Sequence, residues 1–137
     1  MLYNVGMINY KSNSNVTYSS KYHIVWCTKY RRKVITEDSP ATLRKIIQDV
    51  CLERSAEIIS LEIMPDHVHA VIEVDPQYGI HRLIKQMKGR SSRLLRQQYD
   101  WMRTRLPTLW TNSYFISTVG GASLSAIKQY VEQQKNK

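Results

Sequence analysis

Acidic side chains are scarce in this chain: 11 Asp and Glu stand against 20 Lys and Arg, a formal charge of +9 over 137 residues. That deficit points away from cationic partners and toward polyanions. It is also uneven. From Pro76 to Arg105 eight basic residues meet one acid, Asp100, and a second basic cluster (Lys29, Arg31, Arg32, Lys33) surrounds Tyr30. Cysteine is nearly absent, with Cys27 and Cys51 set far apart and no CxxC pair. This excludes a zinc knuckle or a disulfide framework and predicts two buried free thiols in an intracellular protein. No charged N-terminal stretch precedes an apolar one, and no run approaches the roughly eighteen apolar residues of a membrane span. With no lipid-facing amphipathic stretch either, nucleic acid is the favoured polyanion, ahead of a membrane surface.

Internal repeats and low-complexity tracts are missing too, so residues 1–137 read as one domain, long enough to bury roughly two thirds of its unfolded surface. Residues 1–20, rich in Ser and Asn, are expected to be a partly flexible arm. After it, His23–Thr28 has the β-branched and aromatic content of a strand. Asp38-Ser39-Pro40 is a helix start, a capping oxygen followed by proline where its missing N–H costs nothing, and Leu43, Ile46, Ile47 and Val50 carry the helix to about Glu53. Glu57–Met64 and His67–Val74 read as a hairpin broken at Pro65-Asp66. A long basic helix follows from Ile80 to Tyr99 or beyond, interrupted by Gly89, and Pro107 ends whatever helix remains. Tyr114–Thr118 is a fourth strand, Gly120-Gly121 a hinge, and Ser123 caps a last helix with Leu124, Ile127 and Val131 as its apolar stripe. The order β-α-β-β-α-β predicts an α+β, ferredoxin-like antiparallel sheet with two helices on one face, plus a C-terminal helix.

Two pairs stand out. His67 and His69 share one face of a strand, and Tyr130 and Gln134 share one face of a helix. Brought together, they give two imidazoles, an amide oxygen and a phenol at one place. A single histidine on such a strand is more often structural, but two at this spacing after a Pro-Asp turn are harder to explain as packing. The spacing does not suit a closed zinc site, and a mixed N/O set without thiolate suits Mg²⁺ or Mn²⁺ with positions left open. Tyr130 has two readings at this point: a core tyrosine beside a surface glutamine, or a nucleophile whose phosphodiester target is polarised by a metal. Asp66 either orients a histidine or only makes the turn. Candidate phosphate contacts are Arg31, Arg32, Lys33, Lys85, Lys88, Arg90, Arg93 and Arg96. Tyr30 and Trp101 are either base-stacking platforms or core residues.

Several blocks in order carry a resemblance: Tyr22–Lys33 (YHIVWCTKYRRK), Met64–His69 (MPDHVH), Lys88–Arg93 (KGRSSR), Leu109–Asn112 (LWTN) and Ile127–Tyr130 (IKQY). Over nearly its whole length the chain resembles the single-tyrosine HUH transposases of the smallest bacterial insertion sequences, HUH denoting His-hydrophobic-His, here His67-Val68-His69. The resemblance implies that His67, His69 and Gln134 hold the metal and that Tyr130 is the nucleophile. It implies cleavage of single-stranded DNA at insertion-sequence ends, recognised as imperfect hairpins, through a 5′-phosphotyrosine link that a 3′-hydroxyl later resolves. It further implies a homodimer, in which the tyrosine helix can complete a partner's site, working in the cytoplasm at the nucleoid of a bacterial or archaeal cell. Relatives often carry a longer tail than the three residues after Gln134. Two other readings share these residues: an HUH nuclease with a replication-initiation or domesticated repeat-associated role, and an inactive DNA-binding module. The last has no need of all four side chains.

Overall fold

Three strands precede the first one expected from the sequence. The protein is seen here in a computed structural model that describes residues 2–5, 8–120 and 124–137, with side chains over 10–120 and 125–137. Strands β1 (Leu2–Val5), β2 (Ile8–Ser12) and β3 (Thr17–Tyr18) pair antiparallel in a small sheet of their own. The polar residues that read as a loose arm make its turn and its anchors. Asn13 Oδ1 accepts from the backbone N–H groups of Asn15 and Val16 at 2.7 and 2.8 Å, which closes the turn between β2 and β3. Lys11 pairs with Glu57 at 2.6 Å and Glu73 at 3.4 Å, and Asn13 Nδ2 donates to Asp75 at 2.6 Å. These contacts are non-local, and no sequence window could show them.

The remaining elements are β4 (Lys21–Cys27), a 3-10 turn (Lys29–Arg31), α1 (Ser39–Glu53), β5 (Glu57–Met64), β6 (His67–Glu73), α2 (Ile80–Gln98), α3 (Asp100–Thr104), β7 (Phe115–Thr118) and α4 (Leu124–Gln133). The main sheet is antiparallel with the order β5-β6-β4-β7. The ferredoxin-like α+β arrangement is thus present. Two local expectations differ. Asp38 stands at the N-cap of α1 but makes no side-chain cap, because its backbone (φ −93, ψ 3) is not extended, and Ser39 Oγ instead donates to Thr36 O at 2.6 Å. The basic helix breaks at Tyr99, whose extended backbone (φ −119, ψ 108) separates α2 from α3. The expected cap Ser123, hinge residue Gly121 and the Leu124 side chain lie outside the described residues; Gly120 adopts φ +90, a conformation glycine favours.

Strand alternation divides β4 and β6 into two faces. Ile24, Trp26, Val68, Ala70 and Ile72 point one way and are fully buried under α1 (Leu43, Ile46, Ile47, Val50) and α2 (Leu83, Ile84, Met87, Leu95). The 3-4 apolar spacing of both helices supplies this cover. The other face carries His23, Val25 and Cys27 opposite Val71, His69 and His67, with Phe115 of β7 beside Val25. Helix α4 lies on this second face of its own sheet: Ile127 is buried, and the Tyr130 ring stands 5.6 Å from that of Phe115. Both cysteines are buried and unpaired.

Candidate active site

The two-residue step from Met64 to His67 turns β5 back into β6 and places His67 and His69 on the α4 face, opposite Cys27 and Val25. His67 Nδ1 lies 2.8 Å from Asp66 Oδ1. A carboxylate on one ring nitrogen fixes the tautomer, puts the hydrogen on Nδ1 and leaves Nε2 as a lone-pair donor. Asp66 is 7% exposed and is held in turn by Arg31, whose Nε and second guanidinium nitrogen reach its Oδ2 at 3.0 and 2.9 Å. Burial alone would push the Asp66 carboxyl up, but the hydrogen bonds from His67 and Arg31 outweigh it and hold it below the usual carboxylate range. The third side of the same guanidinium reaches Glu132 of α4 at 3.3 Å. Tyr30 and Arg31 both sit in the left-handed region, with φ of 56 and 51, and this turn aims Arg31 inward.

His69 Nε2 lies 3.3 Å from His23 Nδ1, and its Nδ1 is 4.0 Å from Glu62, beyond hydrogen-bond distance. Burial lowers its pKa, helped by His23 and His67 and opposed by Glu62. A depressed pKa keeps the ring neutral, the form in which imidazole binds metal.

Tyr130 is half-buried on α4, and Gln134, in the turn just after that helix, is 3% exposed. Its burial departs from the bland reading of a surface glutamine. Ser113, in the loop before β7, joins the two. Its Oγ lies 3.0 Å from the Tyr130 hydroxyl and donates to Gln134 Oε1 at 3.3 Å, while Gln134 Nε2 donates to the Tyr130 carbonyl at 3.4 Å. Burial raises the Tyr130 pKa above its ordinary value, and the Ser113 hydrogen bond pulls it partly back. The structure thus brings His67, His69, Tyr130 and Gln134 onto one sheet face.

Sequence reasoning missed Ser113 and misjudged the surroundings of several cations. Lys88 is turned inward, donating to Thr111 O at 2.7 Å and Ser113 O at 3.1 Å; burial pulls its pKa down to about 8, with Cys27 opposing weakly. Cys27, between them, is pushed up to about 12 by burial and by Asp66. A signal for Lys88 was present: it falls four residues after buried Ile84 and three before buried Ser91, on the stripe rather than off it. Arg31 holds Asp66, Arg90 grips Glu53 through two hydrogen bonds at 2.6 and 2.8 Å, and Arg96 donates to the carbonyls of Pro107, Leu106 and Arg103. Four of the eight expected phosphate contacts therefore already have protein partners. Arg32 and Lys33 are exposed beside the site, and Lys85 is exposed on α2. Arg93, Arg96 and Arg103 line a shallow cavity of about 460 Å³ between α2 and α3. Tyr30 is 43% exposed, with the Lys29 ammonium 5.0 Å from its ring, and is free to stack. Trp101 is a packing residue, donating to Val34 O at 2.8 Å with its ring 5.0 Å from Tyr99.

The donor set suits a divalent cation. His67 Nε2, a neutral His69 and the Gln134 carbonyl offer nitrogen and oxygen without thiolate. Among the described residues no three His, Cys, Asp or Glu side chains are grouped to hold a metal.

Comparison with known proteins adds an independent line. A family model described as "Transposase IS200 like" matches residues 16–134. The ISDra2 transposase TnpA of Deinococcus radiodurans is 33% identical over 139 residues, covering 100% of this chain and 99% of the relative. The transposase of insertion sequence element IS200 from Salmonella typhimurium is 27% identical over 126 residues, covering 90% and 82%. A solved transposase structure from Deinococcus radiodurans R1 superimposes with a TM-score of 0.82 at 30% identity over 93% of this chain and 99% of that one. A REP-associated tyrosine transposase bound to a REP hairpin shares the fold, with a TM-score of 0.57 at 14% identity over 89% and 69%.

Proposed function

The chain belongs to the IS200-like transposase family, and from that premise we propose that it cuts and rejoins single-stranded DNA through Tyr130, with His67, His69 and Gln134 as ligands of a divalent cation. The observation that carries this reading is the placement of the phenol and the buried Gln134 amide, joined through Ser113, on the sheet face that bears both histidines. A surface tyrosine with a packing role would not need, at its phenol oxygen, a hydroxyl that also holds a buried amide.

The chemistry follows from the groups present. The Tyr130 oxygen attacks phosphorus; a bond forms between them as the bond to the 3′-oxygen breaks. The phenol proton is lost to solvent, the departing 3′-oxygen takes one up, and the 5′-phosphate stays on Tyr130. Attack by another strand's 3′-hydroxyl reverses the exchange, so the phosphodiester bond energy is conserved. A phenol with a raised pKa attacks poorly on its own. Mg²⁺ or Mn²⁺ supplies, when bound, charge neutralisation at the non-bridging phosphate oxygens. Asp66 and Arg31 keep His67 in the ligating tautomer, and burial keeps His69 neutral. Arg32, Lys33, Lys85 and Arg93 supply phosphate contacts, and exposed Tyr30 supplies a stacking ring beside the site.

The substrate carries an imperfect hairpin, in keeping with the family and with the REP hairpin held by the more distant structural neighbour. The active unit is a dimer. Both end strands of the main sheet, β5 and β7, bear exposed apolar residues (Ile59, Met64, Ile116), the surface a second copy would cover. Incubating a labelled, hairpin-bearing single strand with protein and Mn²⁺ tests the reading. It should give a species that survives denaturing gels, that EDTA prevents and that Tyr130→Phe abolishes while DNA binding persists. An undiminished adduct from the Phe variant would remove Tyr130 from the role. Sedimentation at micromolar concentration tests the dimer, and an active monomer would contradict it.

A further inference from the structure

The loop between α3 and β7 is anchored by buried Leu106, Leu109, Trp110 and Thr111 and by hydrogen bonds on both sides of the site. Thr111 N donates to Cys27 O at 3.0 Å, tying the loop to the end of β4. Lys88 Nζ, reaching out of α2, donates to the carbonyls of both Thr111 and Ser113, and Thr111 Oγ1 donates to Ser113 O at 3.3 Å. The Ser113 backbone is therefore fixed by two donors to one carbonyl. Its side chain faces α4, where both of its partners lie, 17 and 21 residues further along the chain.

The chemistry of the groups sets the direction of the hydrogen bond between Ser113 and Gln134. The Gln134 amide is oriented by Nε2, which donates to the Tyr130 carbonyl at 3.4 Å, so Oε1 is the atom that faces Ser113. An amide oxygen only accepts, and a serine hydroxyl has a single hydrogen. That hydrogen points to Gln134 at 3.3 Å, while either oxygen can donate across the 3.0 Å contact with Tyr130. One hydroxyl thus sets two things together. It stands within hydrogen-bond reach of the Tyr130 oxygen, and it points the Gln134 carbonyl, whose second lone pair remains available for a cation.

We infer that Ser113 is a positioning residue for strand cleavage: its hydroxyl holds the Tyr130 oxygen and the Gln134 carbonyl in one arrangement, and Lys88 fixes the loop that presents it. This rests on the assignment of Tyr130 and Gln134 above. It also gives Lys88 a task other than phosphate binding, through its reach from the basic helix to the loop's carbonyls. Ser113 is itself exposed and caps no helix, so what its hydroxyl adds to the fold is the one hydrogen bond it gives Gln134.

The test is single-turnover adduct formation on a hairpin-bearing single strand at saturating DNA, with Mn²⁺ varied. One hydrogen bond's worth of positioning corresponds to about a three- to tenfold slower rate in Ser113→Ala. The Mn²⁺ concentration for half-maximal rate should rise, while DNA affinity stays as in the unaltered chain and thermal melting shows the variant fully folded at the assay temperature. Ser113→Thr, which keeps the hydroxyl, should restore the rate and the Mn²⁺ response. A Ser113→Ala rate equal to that of the unaltered chain would overturn the inference and leave the Tyr130 assignment standing. So would Ala and Thr variants that are slowed alike, since shape rather than the hydroxyl would then be at work. An unaltered chain that forms no adduct at all would take the nucleophile assignment down first and this inference with it.

Discussion

The two faces of the main sheet are made by the same strands yet differ in almost every physical respect. On one, Ile24, Trp26, Val68, Ala70 and Ile72 are sealed beneath two long amphipathic helices. On the other, His23, His67 and His69 meet Asp66, Glu62 and Arg31, and the cover is a single ten-residue helix carrying Tyr130. Period-two alternation lets β6 serve both, with each residue that stabilises the fold followed by one that faces the chemistry. A one-residue slip in register would exchange the two sets. The apolar face therefore pins the histidines in place, and the burial of Val68 and Ala70 is part of how His67 and His69 come to face α4.

The sharpest way to break this comparison is a pair of substitutions, one on each side. His67→Ala should remove metal-dependent cleavage while leaving chemical denaturation close to that of the unaltered chain, because a partly exposed ring held by Asp66 adds little to the core. Ile47→Ala should do the opposite. Deleting a fully buried side chain of α1 should cost about 2–5 kcal/mol of stability in urea, with cleavage normal wherever the protein stays folded. If His67→Ala unfolded the chain, the α4 face would be structural and the division into faces would fail.

A smaller effect concerns the lysine that crosses from one side to the other. Lys88 has a folded pKa of about 8 against an ordinary 10.5. Between those values the unfolded chain binds more protons than the folded one, so this group makes stability rise with pH over that window. Its destabilising contribution is complete below about pH 8. Lys88→Met should flatten that rise, read as the difference in melting temperature between the two proteins from pH 8 to 10. Equal slopes would mean that Lys88 is not buried against the loop carbonyls. The smallest effect lies on α2. Gly89 has helical backbone and nothing within 4 Å of where a Cβ would stand, so Gly89→Ala should raise stability by about 0.4–1 kcal/mol. A loss on thermal melting would show that the position is more crowded than the fold implies.

What was legible in the sequence follows the same division. Helices α1 and α2 announce themselves through apolar spacing, and β5, β6 and the turn at Pro65-Asp66 through alternation and punctuation, because these signals are local. The pairs His67/His69 and Tyr130/Gln134 were visible for the same reason, each being a spacing within one element. Contacts across the chain were not. Ser113 lies in a loop without periodicity, and nothing near it in sequence names Tyr130 or Gln134. Arg31 looked like one more cation in a basic run, and only folding brings Asp66 and Glu132 to it from 35 and 101 residues away. The first strands were misread because Asn and Ser describe turns equally well in an arm and in a sheet, and their pairing partners lie elsewhere.

The central claim is that Tyr130 takes the phosphate, and mapping the covalent adduct tests it most directly. Trypsin cutting after Lys128 and Lys135 releases Gln129-Tyr-Val-Glu-Gln-Gln-Lys135, which holds Tyr130 and no other tyrosine. After nuclease trimming of the DNA, mass spectrometry should find the residual nucleotide on this peptide, attached through its 5′-phosphate to the phenol. A nucleotide on the peptide holding Tyr114, on any other residue, or joined through a 3′-phosphate would contradict the account.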